Sequence, residues 1–283
     1  MLRLKGIIAL AALAFVLSGI SQPAMAKEKT LRFGVNNWAE NVAVSNMWKI
    51  LLEKRGYNVE LMEVGNGVMY GGVASGSLDV GLEVWLPNSD KPLVEKFGDD
   101  FDIQSAWYKG ASLGLVVPSY VDVDSLDELP DNAGKFDNEI VGIDSGSSLN
   151  ELTREAVKKY ELDAYEFVES SEPAMLGVLQ SAYEAGKPVV VTLWNPHYAF
   201  AEYDLKYLED PKNVYGEGDD IFFITRKGFE KDFGEVLDWM NEWFMTDATL
   251  GDLIATIKRA EDPQKGAAKW IKANKDLVDS WFE

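Results

Sequence analysis

The sequence predicts an α/β protein built from two similar halves. Three observations carry this. Short apolar runs with strand character alternate with amphipathic helical stretches, which is the signature of βαβ units and parallel strands. The alternation restarts after Pro118, giving two sets of about 90–100 residues each, the size of a small domain. After Thr225 only helical patterns remain.

Taken in order, Leu31–Asn36 predicts the first strand. Val44, Met47, Trp48 and Leu51 fall at i, i+3, i+4 and i+7, one face of a helix, and Gly56 ends it. Val59–Val64 is a second strand, Tyr70–Leu78 a short helix, and Val80–Leu86 a third strand stopped by Pro87. Leu113–Val117 is another apolar strand, closed by Pro118. The second set opens with a strand at Glu139–Ile143, a glycine–serine turn and a helix over Leu149–Tyr160. A strand at Tyr165–Val168, a helix at Ala174–Ala185 and a buried strand at Pro188–Leu193 follow. Ile221–Thr225 is the last strand. Chain crossings between the halves are expected near Val116–Pro118 and Ile221–Thr225. They give a first lobe of 27–116 and 224–283 and a second of 117–223. In open α/β sheets a ligand lies at the carboxyl ends of the strands, here in the cleft between lobes.

Residues 1–26 form a different kind of segment. Arg3 and Lys5 precede the apolar stretch Gly6–Leu17, and Ala24-Met25-Ala26 is a small-x-small cleavage site, the pattern of a secretory signal peptide. Cleavage after Ala26 removes two basic residues and no acidic ones from a chain of charge -20, leaving 257 residues at -22. Export into a bacterial periplasm is the expectation.

Composition excludes several function classes. With no cysteine and one histidine, thiolate catalysis, Cys-based metal sites and a multi-histidine metal centre drop out. The acidic charge argues against nucleic acid and anionic lipid as partners. Gly65-Asn66-Gly67 with Gly71-Gly72 misses the dinucleotide spacing, Gly142–Gly146 is not a nucleophile elbow, and no serine is placed beside His197. No enzyme, cofactor or metal is expected.

The tryptophans carry more. Of nine, Trp48, Trp239, Trp243, Trp270 and Trp281 sit in helical patterns and are expected in the core, while Trp107 has no distinctive position. Trp38, Trp85 and Trp194 share another placement, each at or just after the end of a predicted strand. Three indole faces around one point suit a cation without N–H donors, such as a quaternary ammonium, and each desolvated face contributes about 2 kcal/mol. The stretch Gly142–Leu149 adds a strand end, a small-residue turn and a helix start, where free N–H groups and the helix dipole favour an anion. Taken alone, this stretch reads more readily as an ordinary capped helix than as an anion site.

Several stretches, in order along the chain, resemble the OpuAC-type family of substrate-binding proteins of ABC importers for glycine betaine and related compatible solutes. They are Gly34–Ala43 (GVNNWAENVA), Val73–Gly76, Val84-Trp85-Leu86-Pro87-Asn88, Leu113–Pro118, Gly142–Ser147, Trp194-Asn195-Pro196-His197 and Tyr203–Leu208. The resemblance implies a type II Venus-flytrap fold that closes on its ligand. It further implies a trimethylammonium box of Trp38, Trp85 and Trp194, and a ligand carboxylate on the N–H groups of Ser148 and Leu149. Glu40, Asp90, Ser147 and His197 are further candidates. The implied partners are a quaternary ammonium ligand and an ABC permease of the inner membrane, with the receptor itself a monomer. Two departures stand out. Asp90 occupies the place, five residues after Trp85, where betaine binders of the family carry a histidine. The turn reads Asp-Ser-Gly-Ser-Ser where Asp-Pro-Gly-Ser-Gly is common. Related choline binders place an acid where Glu40 sits, but Glu40 also fits the betaine-type Asn-Trp-Ala-Glu pattern, and Ser147 stands where the choline turn usually carries asparagine; choline, carnitine or dimethylsulfoniopropionate is the alternative ligand.

Overall fold

The computed structural model describes residues 30–283. The segment read as an export signal, 1–26, lies outside the described residues. No helix among the described residues is long and apolar enough to cross a membrane.

The first half runs β1 (Thr30–Val35), α1 (Ala39–Glu53), β2 (Asn58–Glu63), α2 (Asn66–Ala74), β3 (Val80–Leu86), α3 (Lys91–Phe97) and β4 (Phe101–Pro118). Then come α4 (Leu129–Asn132), β5 (Glu139–Val141), α5 (Ser148–Lys159), β6 (Glu166–Val168), α6 (Glu172–Glu184), β7 (Val191–Asn195), α7 (Ala199–Glu202) and β8 (Leu205–Tyr207). The chain closes with β9 (Asp219–Arg226), α8 (Phe229–Glu242), α9 (Asp247–Lys258), α10 (Pro263–Ala273) and α11 (Lys275–Ser280).

The strands follow the order β2-β1-β3-β9-β4-β7-β5-β6, with β8 also on β4. The α/β architecture is the expected one, and its sheet is mixed. β2-β1-β3 and β6-β5-β7 are parallel, whereas β9, β4 and β8 run antiparallel to their neighbours. The long strand β4 serves both halves. Up to Ala111 it pairs with β9, and from Ser112 onward with β7 and β8.

The β4 ladder changes partner at Ala111–Ser112. β9 pairs with β3 and the first part of β4 along its whole length. Sequence periodicity misses Phe101–Ser112 because β4 is bulged there. Its register shifts three times between Ile103 and Ala111, and each bulge breaks the alternation that marks a strand. Helix α2 begins at Asn66, with Gly65 as its N-cap, so the glycines that look like a loop are its first turn. β7 extends through Asn195, which places Trp194 inside the strand and opposite Leu113 of β4.

The remaining tryptophans fill the core beneath α1. Trp107, without distinctive position in sequence, stacks on Trp243 at 4.6 Å and donates its indole N–H to the Leu82 carbonyl (2.7 Å). Trp48 meets Trp243 edge-on at 5.6 Å and Trp281 face-on at 6.2 Å, the geometries aromatic quadrupoles favour. Trp270 is buried and Trp239 partly so.

Candidate functional site

The site is assembled at strand ends. β1 runs into Asn36-Asn37-Trp38, and Trp38 is the extended N-cap residue of α1. Trp85 is the penultimate residue of β3. β5 leads through Gly142–Ser147 into α5, where the Ser147 side chain caps the helix by accepting from the Asn150 N–H (3.2 Å). Trp194 comes from β7. Because the parallel strands of each half end at the cleft, these junctions face one another.

They enclose a small pocket of about 30 Å³, well under the range of open ligand cavities. Trp38, Trp85 and Trp194 all line it, as do Glu40, Asp90, Ser147, Ser148 and Leu149. Eight of the nine residues singled out in the sequence thus come together. His197 does not line this pocket. It lies behind Trp194, whose ring it meets edge-on at 4.7 Å, and it contacts Glu172 through Nε2 at 3.1 Å. The sequence pattern missed Asn66, Ser89, Leu113 and Ile143, which complete the wall. Asn66 lies in the glycine turn weighed only as a nucleotide loop, and Ser89 sits one residue before Asp90 in the stretch after Pro87.

Each indole is oriented separately. Trp38 donates its Nε1–H to Asp144 of the other half (2.9 Å), and Trp85 donates to Glu83 (2.8 Å). The Trp194 indole N–H has no acceptor. A second tie crosses the cleft where the Ala39 N–H, an unsatisfied donor in the first turn of α1, reaches Glu172 (2.9 Å). The Ser148 hydroxyl makes a third, donating to Asp90 (2.5 Å).

The electrostatics are those of an acid-lined pocket. Glu40 is fully buried, and neither carboxylate oxygen makes a hydrogen bond of good geometry. Burial, then the Glu83 and Glu172 carboxyls, hold it well above the usual carboxylate range, and the neighbouring Trp194 side chain opposes this weakly. Burial pushes Glu83 up to about 8, against the pull of the Trp85 indole. Burial also raises Asp90, while its donors, led by Ser148 and the Trp85 N–H, favour the charged form. Among the described residues no group of three or more His, Cys, Asp or Glu is placed to hold a metal ion. Three tryptophans and the buried carboxyls of Glu40 and Asp90 line the pocket, a lining that suits a small cation.

Comparison with known proteins agrees with this geometry. The family model described as the substrate binding domain of ABC-type glycine betaine transport systems, OpuAC, matches residues 29–273. The glycine betaine/carnitine transport binding protein GbuC of Listeria monocytogenes is 38% identical over 146 residues, covering 51% of this chain and 49% of that protein. The alignment thus spans about half the length of that curated relative. Lactococcal OpuAC, in its closed form with glycine betaine, superposes with a TM-score of 0.85 at 33% identity, covering 90% of this chain and 100% of that one. An ABC-transporter choline binding protein with choline gives 0.84 at 25% identity, covering 89% and 91%.

Proposed function

This chain belongs to the OpuAC family of substrate-binding domains of ABC-type glycine betaine transport systems, and from that premise we propose that it captures glycine betaine, or a similar quaternary ammonium compatible solute, outside the cytoplasm and delivers it to a permease. Members of this family bind and hand over solutes and catalyse no reaction. The observation that carries the ligand class is the convergence of Trp38, Trp85 and Trp194, drawn from both halves of the cleft, on one small pocket. A trimethylammonium group spreads its charge over methyls and needs no hydrogen-bond acceptor. Each desolvated indole face attracts it by about 2 kcal/mol. A primary ammonium would leave N–H groups unpaired against the same faces. Because the box needs indoles from both sides, binding favours the closed cleft.

The ligand's carboxylate would rest on the N–H groups of Ser148 and Leu149 at the start of α5, where the helix dipole favours an anion. Choline is the second reading, favoured by the unpartnered Glu40 carboxyl two residues after Trp38, which would accept its hydroxyl. Carnitine and dimethylsulfoniopropionate present similar cationic heads. Residues 1–26 would direct export, with cleavage after Ala26 releasing a monomeric receptor into the periplasm to meet an inner-membrane permease. The lobes would divide at Ala111–Ser112 and just before Asp219.

Tryptophan fluorescence titration of the mature protein with glycine betaine, choline and dimethylsulfoniopropionate tests this reading. Saturable binding is expected. Trp85→Ala and Trp194→Ala each weaken it about 30-fold, the equivalent of one lost indole face. Unchanged affinity for every quaternary amine in both variants rejects the box.

A further inference from the structure

Asp90 brings a negative charge of its own to the part of the pocket where a ligand's anionic end is expected. Its Oδ1 accepts from the Ser148 hydroxyl (2.5 Å) and the Asn66 amide (3.2 Å), and its Oδ2 from the Trp85 N–H (2.9 Å). The side chain does not cap α3, although Asp90 is that helix's N-cap residue. It is turned instead onto the pocket, which it lines within a buried environment. The Ser148 and Leu149 N–H groups, the first two of α5, donate to nothing among the described residues. An incoming carboxylate bound there would sit beside Asp90.

Among the described residues no basic side chain acts on Asp90 to offset that charge. The ionisable groups around Asp90 are Tyr70 from α2 and Glu83 from β3, together with Asp219 of β9, which accepts from Ser89. Glu40 of α1 lines the same pocket. On α5 Arg154 is taken up by Glu151 and Glu169, and on α3 Lys91 pairs with Glu95. Two carboxylates confined together do not both stay ionised; one takes a proton. A cation lacking a carboxylate meets no such conflict, because Asp90 is then its counter-ion.

We propose that Asp90 sorts ligands by charge: a quaternary ammonium or sulfonium cation without a carboxylate pairs with the Asp90 carboxylate as it stands, whereas a betaine binds together with one proton from solvent, taken up by Asp90. This rests on the quaternary ammonium reading above and adds a condition to it. The raised affinity of the buried Asp90 for protons acts in the same direction.

Calorimetric titration of the mature protein with choline and with glycine betaine tests it, at several pH values between about 5 and 8 and in buffers of different ionisation enthalpy. In the wild type, glycine betaine binding is expected to take up close to one proton. Its Kd rises about tenfold per pH unit once free Asp90 is ionised. Choline takes up none. In Asp90→Asn the proton uptake with glycine betaine disappears and its pH dependence flattens, while choline weakens about tenfold. Glu40 and Glu83 remain in both proteins, so the difference between them reports Asp90. The buffer dependence of the wild type stands on its own if the variant folds poorly. Glycine betaine binding without proton uptake, or with the same uptake in Asp90→Asn, overturns the inference and leaves the receptor reading intact. Binding of neither ligand overturns both.

Discussion

The Trp38 indole N–H and the Asp144 carboxylate meet across the cleft at 2.9 Å. Trp38 ends the β1 connection in one half, and Asp144 belongs to the turn before α5 in the other. A pocket-lining ring is thus held through its N–H by the opposite side. A hydrogen bond to a charged group contributes about 1.5–3 kcal/mol, and this one joins the two halves. Asp144→Ala is expected to raise the Kd for a quaternary ligand about tenfold, mainly through faster dissociation, with all three indoles still present. Stopped-flow fluorescence reads the rate. Asp144→Asn keeps an acceptor and retains most of the affinity. Equal dissociation rates in wild type and Asp144→Ala would show that the contact does not hold the cleft shut.

Much of this site was legible in the sequence because its residues sit at strand ends, and strand ends are where apolar runs stop. Trp38, Trp85 and Trp194 were separable from the core tryptophans on that ground alone, and the small-residue turn of Gly142–Leu149 marked the approach to α5. What the sequence concealed depends on contacts between distant segments. Asn66 and Ser89 reach the pocket through the packing of α2 and the turn after β3, which no local spacing encodes. Glu172 and Asp144 look like surface acids among 47 until the two halves meet. The functional half of β4 was visible as Leu113–Val117, while its bulged first half, interrupted by Gln104, Ser105, Lys109 and Gly110, lacked a strand period.

Away from the pocket, Asp79 ties three strands together. Its carboxylate accepts from Arg32 Nε (3.0 Å) and Arg226 Nε (2.6 Å), and also from the Arg32 N–H (2.8 Å). Asp79 is buried, while both arginines are partly exposed. Removing the carboxylate leaves the Arg32 guanidinium on β1 without its ion-pair partner, while Arg226 on β9 keeps Asp232, and breaking a buried pair typically costs about 3–5 kcal/mol. The partial exposure of the arginines puts Asp79→Ala at the lower end, about 3 kcal/mol in urea denaturation. Asp79 precedes β3 and Trp85 nearly ends it, about 20 Å away along the strand. Ligand affinity of the folded protein is therefore expected to stay within about twofold. A large affinity loss would show that this ion pair sets the shape of the pocket as well as its stability.

Glu83 gives the fold a pH dependence of unusual sign for a carboxyl. It is fully buried, its Oε2 accepts the Trp85 indole N–H (2.8 Å), and its Oε1 has no partner. Burial raises it from 4.5 to about 8, and Glu40 moves in the same direction. Between those two pH values the folded protein holds a proton that the unfolded chain has lost, so stability falls as pH rises and levels off above about 8. The Glu83 contribution is therefore most favourable at acidic pH, the reverse of a salt-bridged carboxylate. Glu83→Gln is neutral at every pH and keeps an oxygen for the Trp85 indole. It is expected to leave stability near pH 5 almost unchanged and to raise it at pH 8 by a few kcal/mol. Urea denaturation of both proteins across that range reads the difference, in which the titration of the acidic surface cancels. Parallel stability curves for wild type and Glu83→Gln would mean that Glu83 is ionised in the fold.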